Sequence, residues 1–335
     1  MTSRMTPERQ TMSNYVKLAT LSSRSPLDLH TDARPVDRLI DFWRSRFDQV
    51  LPDQPDLIAV PECCDRLHAL DATKQKEHYC RRGDLVRALF SSIASENRCY
   101  ITYSAMQEMA DGTFRNSVQL IDRAGEVAAC YSKTHPTIDE IQQGGVLCGR
   151  DAVVIETDFG RVGFAICFDL NFEAIRRKYE SLNPELMVFV SMYHGGLMQP
   201  YWAYSLRCHL LTAIEALPSG VISPVGQTLA MTSNYCDHVT VRINLDCAVV
   251  HLDQNGQKCP AIKRRYGEAF RVVDPGYLGA VLISSESEQR SIHDLISEFG
   301  LERLDQYFSR ALAVHADPAN IEPATVNSKE SIKPS

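Results

Sequence analysis

The chain has 335 residues, 44% hydrophobic and 23% charged, ordinary proportions for a globular protein long enough to bury a sizeable core. Its net charge of -7, with no basic run longer than Lys263-Arg264-Arg265, leaves no footprint for nucleic acid. No apolar stretch approaches the ~18 residues of a membrane span, and "MTSRMTPERQTMSNY" has no signal-peptide core, so neither membrane nor export is expected.

In chain order, residues 1–14 read as a loose tail. "VKLATLS" then reads as a strand, followed by a helix from Pro35 to Val50 and by the buried strand "DLIAVPE". A helical stretch covers 76–96. Next come the strands "CYITYSAMQEM", "RNSVQLID" and "EVAACYSK", the last closing on Lys133. "DAVVIETDFGRVGFAIC" reads as a hairpin ending in Cys167, and a helix over 171–181 has Asn171 available as its cap. "LMVFVSM" is a further buried strand, Tyr201 to Leu217 a helix, and "GVISPVGQTLAM" and "HVTVRINLD" late hairpin strands. Strands alternating with helices predict an α/β domain over 15–285. Residues 286–314 read as a helical extension whose apolar stripe, Ile292 to Phe308, needs a covering surface and so predicts a homodimer or larger oligomer. The polar, proline-rich 315–335 completes the chain as a second tail.

The eleven cysteines include no C-x-x-C pair, which points to reduced thiols and a cytoplasmic setting. Cys63, Cys64, His68, His78 and Cys80 lack the paired-knuckle spacing of a zinc site, so no metal is expected.

Three polar residues close apolar strands: Glu62, Lys133 and Cys167. In open α/β sheets, strand ends converge on the ligand crevice. A thiol nucleophile needs a base for its proton and a positive charge near the oxyanion that follows attack, and this trio supplies both. A thiol at a strand-to-helix junction should also be the most reactive of the cysteines.

With "PE" after a buried strand, "YSKTH" and "GRVGFAICFDLNFE" in this order, the chain resembles the nitrilase superfamily of carbon–nitrogen hydrolases. The resemblance covers roughly residues 16–250 and extends to "RNSVQLIDRAGEVAACYSK". It implies an αββα sandwich and a Glu62-Lys133-Cys167 triad that cleaves nitriles, primary amides or N-carbamoyl compounds through a covalent intermediate, without cofactor or metal. It further implies a second glutamate after the lysine. Glu140 fits that role best, with Asp139 its competitor. The Phe168 amide would join Lys133 at the oxyanion, and Tyr193, His194 and Trp202 are candidate substrate contacts. A small primary amide is the expected substrate. A thioester acyltransferase and an inactive binding or assembly module are the alternatives. The last is raised by the stretch after Leu217: a helix running directly into Pro218-Ser219-Gly220 omits a strand that such a fold contains.

Overall fold

The computed structural model describes residues 13–322, so most of the two expected tails lies outside the described residues. The chain forms two compact units divided after Asp246, whereas the sequence reading carried the first domain on to 285.

In the first unit, β1 (Tyr15–Leu21), α1 (Pro35–Phe47), β2 (Leu57–Ala59), α2 (Ala72–Arg82), α3 (Leu85–Asn97), β3 (Tyr100–Glu108), β4 (Phe114–Ile121) and β5 (Val127–Ser132) come first. The short α4 (Ile138–Gln142) follows, then β6 (Val154–Glu156), β7 (Arg161–Ile166), α5 (Glu173–Leu182) and β8 (Leu186–Ser191). Next are α6 (Met198–Leu206), β9 (His209–Ile214), β10 (Gly220–Ile222), β11 (Thr228–Met231) and β12 (His238–Asn244). They form two six-stranded sheets, ordered β12-β1-β2-β3-β4-β5 and β11-β10-β9-β8-β7-β6.

The continuous apolar character of the central strands follows from burial on both faces. In β1, Val16 and Leu18 face the core between the sheets, while Ala19 and Leu21 pack with Leu39, Trp43 and Phe90 of α1 and α3. In β7, Val162, Phe164 and Ile166 face the same inter-sheet core, and Ala165 packs outward with Ile175 and Trp202 of α5 and α6. Alternation puts residue 163 on the outer face too, and it is glycine because a Cβ there would stand 2.5 Å from Met187 Sδ and 3.1 Å from the Tyr179 ring. Helix, sheet, sheet and helix layers make this unit the αββα sandwich.

Several expectations need correction. The strand thought missing after Leu217 is present inside the helix expected from Tyr201 to Leu217: α6 stops at Leu206, Arg207 turns left-handed at φ 54°, and "HLLTAI" enters the sheet as β9, parallel to β8. All six β9 residues are buried, so their apolar run has no helical stripe to display. The 76–96 helix is two helices parted at Gly83, whose φ of 50° suits glycine. β12 does not hairpin with its neighbour but pairs antiparallel with β1 on the other sheet, from Tyr15 opposite Asn244 to Leu21 opposite His238.

In the second unit, β13 (Cys247–His251), α7 (Cys259–Tyr266), β14 (Phe270–Val273) and β15 (Ala280–Ser285) precede α8 (Ile292–Phe299) and α9 (Leu304–His315). The antiparallel sheet is ordered β13-β15-β14. Ile292 and Leu295 of the expected stripe are buried with Val250, Ile262, Phe270 and Ile283 of this same unit. The stripe therefore finds its cover at home, and only its far end, Phe308, stays exposed.

Candidate active site

The strands deliver the polar residues to one edge. β2 runs parallel to β1 and β3, and its chain continues through Pro61 to Glu62. Two antiparallel pairings, β3 with β4 and β4 with β5, return β5 to the direction of β3, so Lys133 emerges at the same end. β7 and β8 are parallel in the facing sheet and end in Cys167 and Ser191.

The loop after Glu62 is fixed on all sides. Cys64 N–H donates to Ser104 O at 2.9 Å, Trp43 Nε1 donates to Cys64 O at 2.9 Å, and Cys63 N–H donates to Ser104 Oγ at 3.3 Å. Asp65, fully buried, accepts from both Arg82 and Tyr103, tying the loop to α2 and β3. A buried carboxylate without such partners would be strongly destabilising.

Glu62 and Lys133 are 3% and 1% exposed, and Lys133 Nζ lies 2.9 Å from Glu62 Oε1 and 2.8 Å from Glu140 Oε2. Burial works against the Lys133 charge, but the Glu62, Cys167 and Glu140 side chains outweigh it and hold the ammonium well above the usual lysine range. Burial likewise works against an ionised Glu140, yet Lys133 and the Thr137 amide hold its carboxyl below the usual range. Glu140 is aimed by a capping box at the start of α4: its Oε2 accepts from Thr137 N–H at 2.7 Å, and Glu140 N–H donates to Thr137 Oγ1 at 3.3 Å. The competing Asp139 is exposed and accepts from Gln143 Nε2.

Asn116 of β4, without a role in the sequence reading, joins the two acids. Its Nδ2 donates to Glu62 Oε1 at 2.7 Å and to Glu140 Oε1 at 2.8 Å, while its carbonyl accepts from Lys133 N–H at 2.8 Å. The other Glu62 oxygen accepts from Met192 N–H at 3.0 Å.

Cys167 is half-buried and takes a left-handed φ of 49° at the junction of β7 and a single 3-10 turn, Cys167–Asn171. A non-glycine residue held there stores about 1–3 kcal/mol of backbone strain. Asp169, fully buried, braces this elbow: it accepts from Ile166 N–H at 3.0 Å, Tyr131 OH at 2.7 Å, His135 N–H at 2.8 Å and Thr134 Oγ1 at 2.9 Å. His135 stacks on Phe172 with ring centroids 4.0 Å apart, which fits a structural role. The thiol lies within hydrogen-bonding reach of Ser191 and Glu62; burial first, then the Glu62 carboxylate, push it up to about 12 against the opposing pull of Lys133. The expected lowering at a strand-to-helix junction is thus overridden, and the resting site pairs a neutral thiol with a carboxylate ready to take its proton.

Phe168, the second residue of the 3-10 turn, has an amide at the position where short helices lack an internal partner. Tyr193 approaches the site: burial raises its phenol, the Cys167, Lys133 and Glu62 side chains act on it, and its hydroxyl accepts from Asn171 Nδ2 at 3.0 Å. Asn171 therefore does not cap α5, whose N-cap is Phe172. His194 sits in the following loop, where its Nδ1 accepts from Gly196 N–H at 3.2 Å. Trp202 is corrected outright: it is 0% exposed in the core under the elbow, its Nε1 donating to Leu170 O at 2.9 Å, and it presents no surface to a substrate.

Known proteins resemble this chain. An omega-amidase, chloroplastic, from Arabidopsis thaliana is 21% identical over 211 residues, 56% of each chain, so this chain spans about half of that relative's length. A deaminated glutathione amidase from Dictyostelium discoideum is 20% identical over 237 residues, 61% of this chain and 81% of that one. Among solved structures, a double mutant of the amidase from Nesterenkonia sp. AN1 in complex with acrylamide aligns with a TM-score of 0.61 at 16% identity, covering 71% of this chain and 93% of that one. The carbon-nitrogen hydrolase family model matches residues 31–236, and the chain belongs to that family.

Proposed function

We propose that the protein hydrolyses a small primary amide to a carboxylate and ammonia through a thioester on Cys167. The observation that carries this reading is the buried Lys133 ammonium, clamped between Glu62 and Glu140 beside a thiol that shares Glu62 as its neighbour. The names of the relatives, omega-amidase and deaminated glutathione amidase, support amides over nitriles.

In this reading Glu62 takes the thiol proton as Sγ attacks the amide carbon. The oxyanion forms against Lys133 and the Phe168 amide, a preorganised charge and dipole in a water-poor site. Glu62 returns its proton to the nitrogen, the C–N bond breaks and ammonia leaves. Water, directed by Glu62 and Glu140, then attacks the thioester carbon as Glu62 takes its proton; the C–S bond breaks, Glu62 returns that proton to Sγ, and the acid leaves. Asn116 keeps the two carboxylates in register throughout. Tyr193 and His194 border the leaving side of the substrate.

All eleven cysteines are free of disulfides, which fits a cytoplasmic setting. The exposed Leu197 and Tyr201, on and before α6, fit pairing of two copies near the cysteine. The test is ammonia release from a panel of amides, nitriles and carbamoyl amino acids. Turnover of an amide that Cys167→Ala abolishes supports the reading; amide turnover undiminished in Cys167→Ala overturns it.

A further inference from the structure

β7 and β8 run parallel with Ile166 beside Val190, so Cys167 and Ser191 come next to each other as the two strands end. Ser191 is 0% exposed. Its Oγ lies 2.6 Å from Tyr193 O and 2.9 Å from Tyr193 N. A carbonyl only accepts and an amide N–H only donates, so the one hydroxyl proton of Ser191 points at Tyr193 O while Oγ receives the Tyr193 N–H. Those two bonds would satisfy a serine that merely closes a turn. Ser191 has a third neighbour: the thiol of Cys167 stands within hydrogen-bonding reach. Glu215 N–H donates to Ser191 O at 2.9 Å and anchors the backbone to the end of β9, which leaves the hydroxyl torsion as the soft coordinate.

Attack changes what Sγ asks of its neighbours. At rest the thiol directs its proton at Glu62 and needs no donor. Once Glu62 has that proton, Sγ is an anion on a half-buried side chain, where each hydrogen-bond donor beside it counts for more than in water. Lys133 supplies charge, and the Ser191 hydroxyl is the neutral side chain whose hydrogen bond favours the thiolate. A charge-assisted bond is roughly twice as strong as a neutral one, so a donor gained by Sγ outweighs one lost by the Tyr193 carbonyl. Met192, the next residue, donates its N–H to Glu62 Oε2 at 3.0 Å, so consecutive residues of one turn serve the nucleophile and its base.

We propose that Ser191 is a further catalytic residue: its hydroxyl swings from Tyr193 O to Cys167 Sγ as Glu62 takes the thiol proton, and swings back once Sγ has bonded to the amide carbon. This rests on the amidase reading above. The Ser191 proton stays on Oγ throughout and only its acceptor changes; the S–H bond breaks as Glu62 gains the thiol proton, and the S–C bond forms. The swing is repeated when water cleaves the thioester, between the breaking of the C–S bond and the return of the proton from Glu62 to Sγ. Ser191 contacts Sγ, a reacting atom, and not the substrate.

The experiment reads the thiol directly and needs no substrate, so its outcome stands apart from whether an amide is turned over. Labelling of Cys167 by iodoacetamide at pH 8–9, followed by peptide mapping, should be about 3- to 10-fold slower in Ser191→Ala than in wild type, because the thiolate fraction falls by more than its intrinsic nucleophilicity rises. Ser191→Thr, which keeps a hydroxyl, should label within about threefold of wild type. Added to Glu62→Gln, Ser191→Ala should raise the midpoint of the labelling curve by about one pH unit or more, a shift that the loss of a turn contact does not produce. On a substrate amide, Ser191→Ala should lower kcat about tenfold with KM little changed. An unmoved midpoint, or a kcat equal to that of wild type, overturns the proposal and leaves amide hydrolysis standing. If Ser191→Ala does not fold, a crystal structure of Glu62→Gln above its thiol midpoint decides. Ser191 Oγ parted from Tyr193 O and bonded to Sγ supports the swing; Oγ still 2.6 Å from Tyr193 O overturns it.

Discussion

One carboxylate oxygen of Glu140 does two jobs: Oε2 accepts the Thr137 amide at 2.7 Å and meets Lys133 Nζ at 2.8 Å. The helix cap and the site's charge are therefore one structure. Glu140→Gln should expose this coupling. An amide has a single acceptor atom, so it either keeps the Thr137 and Lys133 contacts and loses Asn116 Nδ2, or keeps Asn116 and loses the other two. A fall of about 10- to 100-fold in kcat is expected, with a change of only a few degrees in Tm, since the loss of a cap typically costs ~1 kcal/mol. Full activity in Glu140→Gln would assign the residue to the cap alone.

Lys133→Met tests the buried charge. A lost oxyanion donor alone costs about 100- to 1,000-fold in kcat, and breaking a buried pair by removing one partner costs about 3–5 kcal/mol of stability. The pH dependence follows from the directions of the shifts. Lys133 is raised in the fold, so its contribution is complete below the unfolded lysine value and fades only as pH rises through the folded one. Glu140 is lowered, so its contribution is present above its unfolded value and fades as pH falls through the folded one. The intact cluster is at full strength between roughly pH 5 and 10. Without the lysine, ionised carboxylates are left uncompensated. The gap in Tm between wild type and Lys133→Met should be narrower at pH 5, where protons relieve them, than at pH 8. A gap independent of pH would mean that the lysine stabilises by packing.

The thiol offers a direct readout of Glu62. Burial and the Glu62 charge push Cys167 up to about 12. Labelling of Cys167 by a small uncharged thiol reagent should keep accelerating through pH 9–10, beyond the ~8.5 of an ordinary cysteine. The exposed Cys148 and Cys236 should label first at neutral pH. In Glu62→Gln, removal of the negative charge makes the thiolate less costly, so the midpoint should move down, while ammonia release is lost with the base. A wild-type labelling curve that levels off below pH 8.5 would contradict this account.

Much of this site was legible because its residues sit at transitions that sequence patterning marks. Apolar strands ending in Glu62, Lys133 and Cys167 can be read from a period and a break, and T-I-D-E at Thr137 to Glu140 spells the capping box that separates Glu140 from Asp139. Asn116 and Asp169 were not legible as functional. Each owes its role to partners on other elements, Asn116 to two acids and Asp169 to donors from β5, the loop after it and β7. The β9 strand was misread for a different reason. Burial on both faces erases the alternation that distinguishes a strand from a buried helix, and the left-handed Arg207 that ends α6 leaves no glycine to announce itself. The C-terminal stripe was read correctly as apolar but given the wrong cover, because the sheet over it is built from residues 247–285.

Trp202 and Tyr193 provide a paired test of core against pocket. Trp202→Phe removes the Nε1 bond to Leu170 O and part of a fully buried ring. A hydrogen bond and a small void together should cost about 1–3 kcal/mol, read as a lower Tm, with KM within twofold of wild type. Tyr193→Phe removes only the hydroxyl that accepts from Asn171 Nδ2, on a ring already influenced by Cys167 and Lys133. Its Tm should hardly move, while KM shifts severalfold as the Asn171 amide keeps only its 3.1 Å bond to Phe168 O at the mouth of the elbow. Crossed results, with KM changed by Trp202→Phe and stability by Tyr193→Phe, would return Trp202 to the substrate pocket and Tyr193 to the core.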